Sequence, residues 1–201
     1  MVRIVAIVEG HGEVEAVPLL VRRIAAEISA DRVAELPQPI RVQRQKLLKE
    51  GELERAVELA ARKAGAGGGI LILLDADDDC PEQLAARILR RATTARADRA
   101  IRVVLAKMEF EAWFLAAAES IAGHRDLADG LQAPADCEAV RDAKGWLTKH
   151  MPPGRSYRET LDQVKLTAQF DLRVARERAP SFDKLWRDVD SLWMPAAAGE
   201  E

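Results

Sequence analysis

The run Ile70-Leu71-Ile72-Leu73-Leu74 stops at Asp75-Ala76-Asp77-Asp78-Asp79, and this junction constrains the fold more than any other stretch. Consecutive apolar residues of this kind suit a strand covered on both faces, as in a parallel sheet inside an α/β domain. In open α/β sheets, ligands sit where strands end at their carboxyl side. Clustered aspartates at such an end, with no basic residue among them, point to a hard divalent cation such as Mg²⁺. The plain alternative is an aspartate-rich loop that caps the next helix.

The stretches around this junction repeat a strand–turn–helix pattern. Val2 to Val8 is a β-branched run that favours a buried strand, and it ends in Glu9-Gly10-His11-Gly12-Glu13. The two glycines allow a sharp turn or close approach to a ligand. From Val17 the residues Leu20, Val21, Ile24, Ala25 and Ile28 recur at helical spacing, with Pro18 tolerable in a first turn. Ala34 to Pro39 reads as a loop, Ile40 to Val42 as a short second strand, and Glu52 to Ala64 as a helix closed by the glycines from Gly65 onward. Pro81 opens a helix reaching about Ala95, and Ile101 to Leu105 is a further strand. Phe110, Trp113, Phe114, Ala117 and Ile121 then follow helical spacing, with Trp113 and Phe114 expected in the core. Alternating strands and helices predict a four-stranded, mainly parallel sheet flanked by helices with right-handed crossovers.

Beyond Gly123 the pattern changes. His124 to Ala135 is loop-like, Cys137 to His150 suits a helix, and Pro152-Pro153-Gly154 breaks the chain before short helices that reach about Leu192. We therefore expect an α/β core over 1–122, a helical C-terminal extension packed on it over 123–194, and a mobile tail over 195–201.

With 201 residues the chain has room for one such domain and a small extension. Its 48% apolar and 31% charged content suits a soluble globular protein, and no apolar run approaches the roughly 20 residues of a membrane helix. The N-terminus enters a strand with no signal-type segment, so a cytoplasmic location is expected. Cys80 and Cys137 lack metal-type spacing. A net charge of −3 argues against nucleic-acid binding by bulk electrostatics alone. A local basic surface is still available, since Arg87, Arg90, Arg91, Arg96, Arg99, Arg102 and Lys107 face only Asp98 in that stretch; it is either a phosphate-contacting patch or a solvated helix face.

If the strands ending at Val8, Leu74 and Leu105 are parallel, their carboxyl ends share one edge. That edge collects Glu9, Glu13, Asp75 and Asp77, with Glu109 or Glu111 nearby. A strand spacing of about 4.8 Å brings such groups within reach of one metal, or of two metals about 4 Å apart. Bound Mg²⁺ or Mn²⁺ would relieve their mutual repulsion. Glu9 directly at a strand end is poor helix-cap chemistry, whereas Glu13 and Glu15 also suit the positive end of the first helix dipole. Asp75 and Asp77 are the metal candidates of the loop, and Asp78 and Asp79 are its solvated or capping members. His11 is a candidate phosphate contact or an ordinary loop histidine. A nucleotide-binding loop at Gly10 and Gly12 is disfavoured, because the third glycine and the Gly-Lys-Ser/Thr of the known fingerprints are missing.

A glutamate closing the first strand in a glycine turn, followed by Asp-x-Asp closing a later buried strand, resembles the toprim domain of topoisomerases, primases and OLD-family nucleases. More specifically, Val8-Glu9-Gly10-His11-Gly12-Glu13, Leu74-Asp75-Ala76-Asp77-Asp78-Asp79, Glu111-Ala112-Trp113-Phe114-Leu115-Ala116, Ser156-Tyr157-Arg158 and Ser181-Phe182-Asp183-Lys184 resemble the bacterial domain-of-unknown-function family 4276 over nearly the whole chain. The resemblance implies a toprim-like (Rossmann-like) fold and an Mg²⁺- or Mn²⁺-dependent phosphoryl-transfer site. Glu9 would be metal ligand or general acid/base, and Asp75 and Asp77 metal ligands. Glu111 would add or orient a ligand, with Glu13 beside them. His11, Lys107, Arg158 and Lys184 are the candidate phosphate contacts. Topoisomerase and primase modules are missing, so a nuclease cleaving DNA or RNA in a defence or mobile-element setting is the leading expectation, with nucleic acid as partner. A partner ATPase and an oligomer are compatible with it, and no membrane partner is expected. The alternatives are a non-catalytic module that binds a partner ATPase or nucleic acid and, more weakly, a small-molecule phosphatase using an aspartyl nucleophile.

Overall fold

The computed structural model describes residues 2–193. In chain order, the α/β part runs β1 (Val2–Val8), α1 (Glu13–Ile28), β2 (Ala34–Glu35), β3 (Ile40–Arg41), α2 (Arg44–Leu47), α3 (Glu52–Ala64), β4 (Gly69–Asp75), α4 (Pro81–Ala95) and β5 (Ala100–Ala106). The sheet order is β2-β1-β4-β5, with β3 also beside β1, and every strand pairing is parallel. β4 is central and all its residues are buried, as its unbroken apolar run requires.

The outer edge differs from expectation in an instructive way. β2 pairs with β1 at Val2 and Arg3, and β3 pairs with β1 at Ile7 and Val8. They are two halves of one edge strand, separated by a segment holding Pro37 and Pro39, which have no N–H to give a ladder. Ala34 and Glu35, read from sequence as loop, are therefore the first half. α1 also begins at Glu13, earlier than the spacing from Val17 suggests. Pro18 consequently lies inside the helix and forgoes the bond its N–H would make to the Val14 carbonyl.

Alternation along the strands sends side chains to two faces. Ile4, Ala6, Val8, Leu71, Leu73 and Val104 share one core cluster with the buried residues of α1. Val5, Ile7, Ile70, Ile72, Leu74, Val103 and Leu105 meet α3 and α4. Burying each large apolar side chain stabilises the fold by roughly 1.5–3 kcal/mol.

α1 leaves the β5 end of its face open, and the rest of the chain fills it. α5 (Ala112–Ala116) leads through a 3₁₀ turn and loops to α6 (Ala143–Lys149). A π-helical turn (Glu159–Gln163) then runs into α7 (Val164–Thr167), α8 (Leu172–Arg178) and α9 (Pro180–Ser191). Trp113 and Phe114 are fully buried and join Phe170 and Phe182 in edge-to-face contacts at 5.3 to 5.6 Å. The extension thus shares one hydrophobic core with α1 and the sheet. Along the free edge of β5, Lys184 Nζ donates to the Val103 carbonyl at 2.9 Å, and Ser181 Oγ accepts the Lys107 N–H at 3.3 Å. Both contacts cover backbone groups that an edge strand would expose.

The helix expected over 137–150 is two pieces. A 3₁₀ turn covers Cys137–Ala139, and Asp142 starts α6 by accepting the Gly145 N–H at 2.7 Å. The tail 195–201 lies outside the described residues.

Candidate functional site

The chain leaves β1 for the β2/β3 edge, then crosses back past β1 to β4. The carboxyl ends of β1 and β4 therefore flank the point where strand order reverses, the usual ligand crevice of an open α/β sheet. Their pairing in register, Val5 opposite Ile70 and Ile7 opposite Ile72, brings Glu9 and Asp75 to the same edge.

Four carboxyl groups gather there. Glu13 is almost fully buried, and its Oε2 accepts the N–H of Glu9 at 2.9 Å and of Gly10 at 3.1 Å. Burial pushes its carboxyl up to about 8 against the lowering pull of the Gly10 N–H, and the charge of Glu9 adds to the rise. Asp75 Oδ1 accepts the Phe110 N–H at 2.8 Å, and burial, then Glu13, Glu111 and Glu9, raise its carboxyl well above the ordinary value. Glu111 is fully buried. Its Oε1 accepts from the Tyr157 hydroxyl at 2.8 Å and from Gln163 Nε2 at 3.3 Å. Burial raises the Glu111 carboxyl although Lys144 and Tyr157 oppose the shift. Glu9 is only half-buried; burial first and Asp77 second raise it, against Arg44. Oε2 of Glu9 and Oε2 of Glu111 are buried without a hydrogen-bond partner.

The glycines serve this site by letting another segment in. A Cβ on Gly10 would lie 2.6 Å from Glu159 Oε1, and one on Gly12 would lie 2.8 Å from the Glu159 carbonyl oxygen. The close neighbour that the glycines admit is the π-helical turn of the C-terminal extension, whose Glu159 accepts the Gly12 N–H at 3.0 Å. Such turns often mark functional places in helices.

Asp77 is held differently. Its backbone is left-handed, at φ 49°, and forms an antiparallel bridge with Met108, at φ 63°. Its exposed carboxylate pairs with Arg44 at 3.0 Å. Arg44 also binds Asp79, and Arg141 binds Asp78. Glu9, Asp75 and Asp77 thus sit along one edge without forming a closed ligand set. Among the described residues no group of three or more His, Cys, Asp or Glu side chains is spaced to hold a metal. A cleft of about 340 Å³ lined by Glu9, Gln43, Arg44, Gln45 and Asp77 opens this edge to solvent.

A family model described as "Domain of unknown function (DUF4276)" matches residues 8–190. The chain belongs to the DUF4276 family. No curated protein and no solved structure matches it. The matched span of this DUF4276 chain begins one residue before Glu9 and ends in α9, so it contains every residue of the acidic edge and nearly all of the extension that supports it.

The phosphate candidates of the DUF4276 chain do not converge on the acids. His11 and Arg158 are exposed, and Lys184 is engaged along β5 with Val103 and Asp188. The Lys107 backbone is tied to Ser181. Much of the basic stretch of α4 and its following turn is neutralised: Arg91 pairs with Glu54, Arg96 with Glu58 and Asp98, and Arg99 with Asp98.

Sequence reasoning passed over Lys144, Glu159 and Gln163. Lys144 is a single lysine on a short helix and carries no pattern; Tyr157 had a signal only as part of the Ser156-Tyr157-Arg158 motif. The donor chemistry of the edge suits a hard divalent ion, since its groups are carboxylate oxygens and two of those oxygens are buried without a hydrogen-bond partner.

Proposed function

We propose that this protein is a divalent-cation-dependent phosphoryl-transfer enzyme, acting as a nuclease on DNA or RNA phosphodiesters. The observation that carries the reading is the gathering of Glu9, Glu13, Asp75 and Glu111 at the strand-order reversal, with buried oxygens on Glu9 and Glu111 that have no hydrogen-bond partner. Glu9 and Asp75 would hold Mg²⁺ or Mn²⁺, with Glu111 offering its Oε2. The ion would clamp a phosphate oxygen and lower the pKa of a bound water. Glu9, half-buried beside the cleft and raised above its ordinary pKa, is suited to move a proton to or from the reacting oxygens. Glu13 fixes the turn that presents Glu9, and Tyr157 and Gln163 orient Glu111.

A second reading, a non-catalytic module that binds nucleic acid or a partner ATPase, is favoured by one observation: no metal-holding group of three is assembled among the described residues. Incubation of the purified protein with single-stranded DNA, duplex DNA and RNA in Mg²⁺ or Mn²⁺ separates the two. The nuclease reading predicts cleavage abolished by Glu9→Gln and by Asp75→Asn. Cleavage unaffected by either change contradicts it.

A further inference from the structure

The four gathered carboxyls have almost no fixed positive charge among them. Among the described residues Glu9, Glu13 and Asp75 take part in no ion pair, and Glu111 pairs with Lys144 alone. Lys144 Nζ lies 3.4 Å from Glu111 Oε2 and 3.9 Å from Glu109 Oε2, and its backbone N–H donates to Glu109 Oε2 at 3.3 Å. The contact with Glu111 is one of charge without hydrogen-bond geometry, because Glu111 Oε2 has no hydrogen-bond partner. The lysine side chain keeps 37% of its surface exposed while its Nζ reaches the fully buried Glu111. Arg44 cannot take its place, being occupied by Asp77, Asp79 and the Ala76 carbonyl.

We propose that Lys144 is the resident counter-ion of the acidic edge, a monovalent stand-in that a divalent cation displaces from Glu111, freeing the ammonium to meet the phosphate of the substrate. The proposal rests on the cation-dependent reading above. A divalent cation and an ammonium compete for the same carboxylate charge, and lysine's flexible stem lets the ammonium swing away without moving the helix. Lys144 faces Glu111 and Glu109 with its ammonium and is the one cation among the described residues that reaches Glu111.

Calorimetric titration of the metal-stripped full chain with Mn²⁺, beside thermal melts, tests this. Lys144→Gln should bind Mn²⁺ roughly tenfold or more tighter than the wild type, because the competitor is gone. Its metal-free melting temperature should fall, and Mn²⁺ should close the gap. Lys149→Gln, on the exposed side of the same helix, should match the wild type in both readouts. If the neutral variant does not fold, Lys144→Arg, which keeps the charge and can grip Glu111 with two N–H groups, should bind Mn²⁺ no tighter than the wild type; tighter binding overturns the proposal. Equal or weaker Mn²⁺ binding by folded Lys144→Gln also overturns it, while leaving a cation site that Glu9→Gln abolishes. Absence of Mn²⁺ binding in the wild type and every variant overturns both this proposal and the cation-dependent reading.

Discussion

Glu159 Oε1 accepts the Gly12 N–H at 3.0 Å, joining the turn after the first strand to a π-helical turn 147 residues further along the chain. The C-terminal extension is therefore part of the acidic edge: it shapes the loop that carries Glu9, and through Tyr157 and Gln163 it holds Glu111.

That closeness makes Gly12 sensitive to a single methyl group. Gly12→Ala would press against the Glu159 carbonyl oxygen and Gln163, and overpacking of this kind costs on the order of 1–3 kcal/mol. Chemical denaturation should show the loss. Gly130→Ala, with open space around its Cβ, should stay within about 0.5 kcal/mol of the wild type.

Tyr157→Phe removes the hydroxyl that donates to Glu111 Oε1 and leaves a fully buried carboxyl short of a donor. The expected loss is about 1–3 kcal/mol of stability. A variant as stable as the wild type would mean that Glu111 does not depend on this bond.

Asp162 is fully buried and bound by Arg125 and Arg155, each at 2.8 Å, and by the Arg158 N–H. Burial alone would raise its carboxyl; the Arg158 N–H and the two guanidinium groups outweigh it and keep the pKa low. Asp162→Ala would leave the Arg158 N–H without its acceptor and take one partner from Arg125 and from Arg155, which keeps Asp126, and should destabilise the protein by about 1–3 kcal/mol, read from urea midpoints.

The carboxyls of Glu13, Asp75 and Glu111 have raised pKa values in the folded state, so between about pH 4.5 and 8 the native protein binds more protons than the unfolded chain. Stability of the metal-free protein should therefore be greatest near the lower limit and fall as pH rises toward 8, by on the order of a few kcal/mol. Glu13→Gln should flatten part of that slope, since the amide oxygen can still accept the Glu9 and Gly10 N–H groups without a charge. Urea midpoints at pH 5 and pH 8.5 measure it, and a stability that rises across this interval would contradict the protonation assigned to these groups.

How far the sequence could be read depended on how local each cause was. β4 and Asp75 were legible because seven consecutive buried residues, from Gly69 to Asp75, leave an unbroken apolar run up to the aspartate. The parallel sheet followed from alternating elements, whereas β2 was missed because a two-residue strand beside prolines has no periodicity. Gly10 and Gly12 were recognised as places of close approach, but the visitor is a distant segment of the same chain. Asp75 and Asp77, two positions apart, looked equivalent; Arg44 from α2 separates them by pairing with Asp77. Lys144 was invisible for the same reason: its importance comes from Glu111, which only the folded chain brings near.

The proposed chemistry requires a divalent cation shared by Glu9, Asp75 and Glu111. Anomalous diffraction from crystals soaked in Mn²⁺ should show a peak between Glu9 and Asp75, at the roughly 2.0–2.3 Å expected for carboxylate ligands, with Lys144 turned away from Glu111. Mn²⁺ found only at the Asp77–Asp79 loop, with Glu9, Glu13, Asp75 and Glu111 unchanged, would contradict it.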